Sequence, residues 1–159
     1  MPCRARRELA VTLPPLQALL PHTGPMLLLD ELLRETEHGV VCRTTLRADS
    51  LFARGGRIDA VIAIELIAQA LGACVGLTDH RKGRPPRVGF LVGVREATFD
   101  VAAFAVGDVL EVTATHVWGE ESLGNFRGHV VVVATGATVA TCELSVYAGD
   151  LAVVGRDAG

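Results

Sequence analysis

Apolar positions in this chain gather into one long run, and shorter alternating segments flank it. From Ala60 to Leu77 the sequence reads AVIAIELIAQALGACVGL, eighteen residues with charged or amide side chains only at Glu65 and Gln69. A run of this length predicts a helix about 27 Å long, at about 1.5 Å of rise per residue. Asp59 stands where its carboxylate can accept hydrogen bonds from the first free amides. Gly83, followed by Pro85 and Pro86, predicts the helix end. Eighteen residues is near the lower limit for a membrane span. Glu65 in the first half of the run makes that costly, and Gly72 and Gly76 weaken its end. The flanking segments are short, strand-like and without an aromatic belt. The expectation is no membrane span, but a helix buried nearly all round inside a soluble fold.

The remaining segments read mainly as strands. Leu16 to Leu20, after Pro14 and Pro15, predicts one short helical turn. Met26 to Glu35 is taken as a strand, and Gly39 to Arg47 is strand-like and β-branched. Val88 to Ala97 is a further strand. Val109 to Trp118 alternates with period two at Leu110, Val112 and Ala114. Phe126 to Val133 and Ala137 to Tyr147 flank Ala134, Thr135 and Gly136 as a long hairpin. The order is two strands, the long helix, then four strands, which predicts an α+β domain with one antiparallel sheet wrapped around one helix. The whole chain, 1–159, reads as a single domain with its core at about 16–150 and a frayed end from about Val154. One sheet covers only part of such a helix. A second copy would cover more and pair the sheet edges, so a homodimer or larger assembly is expected.

Composition sharpens this picture. Half of the 159 residues are apolar but only 4% are aromatic, so the core is aliphatic. A net charge of −3 argues against nucleic acid as a partner. Cys3, Cys42, Cys74 and Cys142 have no zinc-ribbon spacing and read as reduced packing residues, which suits a reducing, cytoplasmic compartment. Pro14, Pro15 and Pro21 interrupt any apolar leader after Arg4, Arg6 and Arg7, so no signal peptide is expected. His22, His38, His80, His116 and His129 lie apart from one another and from cysteine at metal spacing. Neither a metal nor a cofactor is expected.

Several motifs carry a family resemblance. Leu20-Pro21-His22 with Pro25-Met26-Leu27-Leu28-Leu29-Asp30 resembles the opening of β-hydroxyacyl-acyl carrier protein dehydratases of the hot-dog fold. Glu65-Leu66-Ile67-Ala68-Gln69-Ala70 resembles their central-helix signature, and Gly107-Asp108-Val109-Leu110 their Gly-Asp turn. The opening motif, with Val88-Gly89-Phe90-Leu91-Val92-Gly93-Val94-Arg95, is most similar to the dehydratase-like branch of aryl-polyene gene clusters. The resemblance implies removal of water from a 3-hydroxyacyl thioester to give a trans-2-enoyl thioester. It also implies a His and a Glu as the proton-transfer pair, one from each subunit of a dimer.

Glu65 matches the family's Glu. It is the one ionisable group in the apolar run, so burial is expected to raise its pKa into the range useful for proton transfer. Gln69, one turn later on the same face, is expected to support it. The family's His lies about fourteen residues before the Glu, where this chain has Leu51 followed by Phe52, and no His occurs between His38 and His80. His22 is the substitute that belongs to a family motif, although a structural role is the more ordinary expectation for it. Ala60 and Gly93 are the expected substrate-binding positions, with the Ala60 amide as an oxyanion donor at the helix N-terminus.

Carrier proteins are acidic, so basic residues near the site would help docking. Arg81, Lys82, Arg84 and Arg87 form one run, and Arg54 and Arg57 another. Glu96 to Asp100, before the Gly-Asp turn, is not basic, which keeps a coenzyme A thioester open as substrate. Three functions remain in view: a dehydratase for acyl carrier protein or CoA thioesters, a hot-dog thioesterase using Glu65 to activate water, and a non-catalytic subunit in a mixed dimer with an active dehydratase.

Overall fold

The computed structural model describes residues 12–120 and 122–149. The apolar run forms helix α1, Ile62–Arg81. Its entry differs from the expected cap. Asp59 Oδ1 accepts the Val61 N–H at 2.9 Å, one step before the first helical residue, so the carboxylate fixes the turn leading into the helix. The exit follows the sequence closely. Gly83 takes a φ of +68°, a left-handed conformation that glycine adopts without a Cβ clash. The Gly83 and Arg84 amides then return to the carbonyls of His80 and Asp79.

Nine strands occur among the described residues. They are β1 (Glu31–Thr36), β2 (Gly39–Thr45), β3 (Ala53–Arg54), β4 (Arg57–Asp59), β5 (Gly89–Phe99), β6 (Ala103–Ala105), β7 (Val109–Gly119), β8 (Leu123–Val132) and β9 (Ala137–Ala148). Six form one antiparallel sheet in the order β1-β2-β7-β8-β9-β5. The period-two pattern predicted for β7 is met, with Leu110, Val112 and Ala114 fully buried against the helix. Val130 of β8 and Cys142 and Leu144 of β9 extend the same inner face. The opposite face carries cross-strand polar partners such as Arg43 with Glu111 and Arg127 with Glu143. This is the hot-dog arrangement: a sheet curled around one apolar helix.

Close packing sets where the helix lies. A Cβ on Gly128 would fall 2.2 Å from Ile67 Cγ2, so β8 and the helix meet there without room for a side chain. A Cβ on Gly76 would fall 2.1 Å from the Leu19 carbonyl oxygen, where the first short turn, Leu16–Ala18, crosses the helix.

Three expectations need correction. Met26 to Glu35 is not one strand: a 3-10 turn occupies Gly24–Met26, and β1 begins only at Glu31. Side chains from elsewhere bond the Met26 carbonyl and both polar backbone groups of Leu28, so these residues do not need a ladder partner. The second sheet, β3-β4-β6, is absent from the sequence reading because its strands are two or three residues long. The helix is also not covered all round. Its most apolar window is 61% buried. Val61 is exposed, while Ile64, Glu65, Ala68, Gly72 and Val75 are half-buried along one stripe. Cys42 and Cys142 are buried and Cys74 half-buried, all as free thiols. Burial pushes the Cys42 thiol up to about 12, which removes it as a nucleophile near neutral pH. Cys3, the N-terminal arginines and the end from Val154 lie outside the described residues.

Candidate active site

The helix places Glu65 and Gln69 one turn apart, and the Gln69 amide donates to Glu65 Oε1 at 2.8 Å. Gln69 has no exposed surface. Its Nε2 also donates to the Met26 carbonyl at 2.7 Å, and its Oε1 accepts the Leu28 N–H at 3.0 Å. Both amide hydrogens and the carbonyl of this one side chain are therefore used. Gln69 joins the helix to the Pro-Met-Leu-Leu segment of the opening motif and fixes one carboxylate oxygen of Glu65.

That segment brings in His22. The residue sits between the 3-10 turns Leu16–Ala18 and Gly24–Met26. Pro21 before it and Pro25 after it restrict the backbone. Its Nε2 lies 3.7 Å from Glu65 Oε1. The Nδ1 atom is enclosed and has no hydrogen-bond partner. The two side chains are 33% and 38% exposed, so both open onto the same surface. The sequence expectation placed Glu65 in a buried environment. Within this chain the carboxyl is only partly covered, because it lies on the unclothed stripe of the helix.

The other expected positions fare differently. The Ala60 amide donates to the Ala102 carbonyl at 3.0 Å, which ties β4's exit to the segment before β6 and leaves no free donor at that residue. The next amide, that of Val61, is held by Asp59 Oδ1. Gly93 lies on the edge strand β5 at an irregularity in its pairing with β9, with open space where a Cβ would stand. Leu51, at the place of the family's His, is 49% exposed, and the adjacent Phe52 is 36% exposed.

The basic run after the helix is tied into ion pairs. Arg81 makes a two-pronged contact with Glu35, and this guanidinium holds the Glu35 carboxyl below its usual range. Arg84 and Arg87 both grip Asp79, which is wholly buried. These three guanidiniums are therefore structural as well as cationic. Sequence inspection missed Asp79 in this role. The signal was an acid in the last helical turn followed by four basic residues. Arg84, Arg87 and Lys82 rim an open groove of about 1300 Å³ whose apolar floor includes Leu71, Val75 and Phe126. Arg54 and Arg57 lie on the β3–β4 hairpin, where the Arg54 guanidinium bonds the Leu51 and Ala53 carbonyls. No cluster of three or more metal-ligating side chains occurs among the described residues.

Comparisons with known proteins agree with this architecture. A family model described as ApeP-like, ApeP dehydratase, matches residues 14–154. No curated protein sequence matches significantly. Among solved structures, the dehydratase heterocomplex ApeI:P from Xenorhabdus doucetiae aligns with a TM-score of 0.84 and 27% identity, covering 91% of this chain and 100% of that one. A hypothetical thioesterase with coenzyme A from Streptococcus pneumoniae gives a TM-score of 0.58 at 15% identity, covering 75% of this chain and 84% of that one. The E. coli PaaI protein from the phenylacetic acid degradation operon gives 0.56 at 16% identity, covering 73% and 80%. The last two likenesses are of fold.

Proposed function

Because the chain belongs to the ApeP-like dehydratase family, we propose that it takes water from a 3-hydroxyacyl thioester in aryl-polyene-type biosynthesis, with Glu65 as a proton-transfer group. The observation that carries this is the Glu65 carboxyl itself. One oxygen is held by a buried amide, and the other has no partner among the described residues. In the reaction a proton leaves C2, its electron pair forms the C2=C3 double bond, and the C3–O bond breaks with protonation of the hydroxyl. A half-exposed carboxyl with one fixed and one open oxygen is suited to give or take one of these protons.

The working unit is an assembly with a second hot-dog subunit, as homodimer or as mixed dimer with another dehydratase. Support comes from the unclothed stripe beside Glu65 and from the outer edge of β5, where Leu91, Val92 and Val94 are exposed. A mixed dimer would let a partner subunit bring in a His of the kind this chain lacks between His38 and His80. The substrate is an acyl carrier protein or CoA thioester. Docking at the Arg81–Arg87 run would use donors left over after the Glu35 and Asp79 ion pairs. The three described free thiols suit a cytoplasmic setting.

The test is to incubate the protein, alone and co-purified with a His-bearing hot-dog dehydratase, with a 3-hydroxyacyl-carrier protein. Enoyl product should form in at least one preparation, and Glu65→Gln should lower the rate by at least about 100-fold. Release of free thiol without enoyl product would identify a thioesterase instead. Equal rates for Glu65→Gln and wild type would refute the role of Glu65.

A further inference from the structure

We infer that the second proton-transfer group of the dehydration is His22, supplied by the same chain as Glu65. The inference rests on the dehydratase reading above and goes beyond it by naming the missing group. The sequence at the family's His position is Leu51-Phe52, which can transfer no proton. His22 enters from another part of the chain, 43 positions before Glu65, through the short loop that Gln69 ties to the helix.

Three features of the geometry distinguish His22 from a packing histidine. A structural histidine is normally bonded through its buried nitrogens. Here Nδ1 is enclosed without a partner, which leaves Nε2 as the ring nitrogen able to exchange a proton. Nε2 faces Glu65 Oε1 at 3.7 Å, close enough for a proton to pass with slight adjustment. Both side chains reach the open surface along the unclothed helix stripe, where a thioester could contact both at once. The loop is held by two prolines and by the Gln69 clamp, so the imidazole does not depend on a flexible tether.

The step balances within the pair. One member of the pair takes the C2 proton, and the C2–H electron pair becomes the second bond of C2=C3. The C3–O bond breaks as the other member gives its proton to the departing hydroxyl, and water leaves. The pair then holds as many protons as it began with, and one proton transfer between Nε2 and the facing carboxyl oxygen restores the starting state.

The experiment compares wild type, His22→Gln, His22→Ala and Glu65→Gln in whichever preparation dehydrates a 3-hydroxyacyl-carrier protein. His22→Gln keeps a polar side chain of similar reach and guards against loss of the loop. Its folding is checked by urea denaturation. The expected result is a fall in kcat of at least about 100-fold for both His22 variants, with KM changed little. Added imidazole should restore part of the rate of His22→Ala and none of that of Glu65→Gln, a response that a merely structural histidine would not give. If His22→Gln stays within about threefold of wild type while Glu65→Gln is inactive, the inference falls and the dehydratase reading stands. If wild type gives no enoyl product alone or in complex, both fall.

Discussion

Gln69 shows how one residue can serve fold and site together. Two of its hydrogen bonds hold the backbone of the opening motif, and a third orients Glu65. Replacing it with leucine preserves volume but strands the Leu28 N–H and the Met26 carbonyl away from water. Each such loss costs about 1–3 kcal/mol. Gln69→Leu should therefore lower unfolding free energy by about 3 kcal/mol in urea denaturation. A loss below about 0.5 kcal/mol would show that the loop holds without the clamp. From sequence, Gln69 was legible as the second polar position in the apolar run and as a neighbour of Glu65 one turn away. Its grip on residues 26 and 28 was not legible, because those contacts join positions more than forty residues apart.

The helix and its exit form a unit at the next scale. Asp79 has no exposed surface, whereas Arg84 and Arg87 remain 42% and 27% exposed. The ion pairs are thus asymmetric. Removing both arginines leaves a buried carboxylate without a cation, a situation that costs about 3–5 kcal/mol. Removing the acid leaves guanidiniums that can turn toward water. The double variant Arg84→Ala with Arg87→Ala should be less stable than Asp79→Leu by at least about 2 kcal/mol, read from denaturant midpoints at equal slopes. Equal losses would mean that Asp79 reaches water once its partners are gone. The helix limits follow from local signals, a continuous apolar run and a glycine before two prolines. The staple across its end needed the loop to fold back.

For the whole molecule, the six-stranded sheet ends on β5 with a row of exposed aliphatic side chains, and Val92 is 62% exposed. An apolar sheet edge and an unclothed helix stripe suit the contact with a second subunit proposed above. Val92→Lys, placing a charge on that edge, should leave the chain folded by circular dichroism and split the dimer it forms, alone or with its partner subunit, into single subunits by light scattering. An unchanged mass would move the interface elsewhere. The sequence indicated that one sheet could not cover so apolar a helix. The face left bare emerges only once six strands have been laid around it.

Local pattern by itself determined the helix, the five long strands from β2 onward through the final hairpin, and Glu65 as the charged position in the apolar run, since these depend on periodicity, apolar runs and turn residues within a few positions. Tertiary structure decided which backbone groups remained free, how much of the helix was covered and what stands beside Glu65. The Ala60 amide is used by Ala102, the segment after Met26 is held by a side chain, and His22 lies against a residue on the central helix. Hydrogen-bond partners and proton-transfer pairs are set by distances in space, and chain folding brings together groups that sequence spacing leaves unrelated.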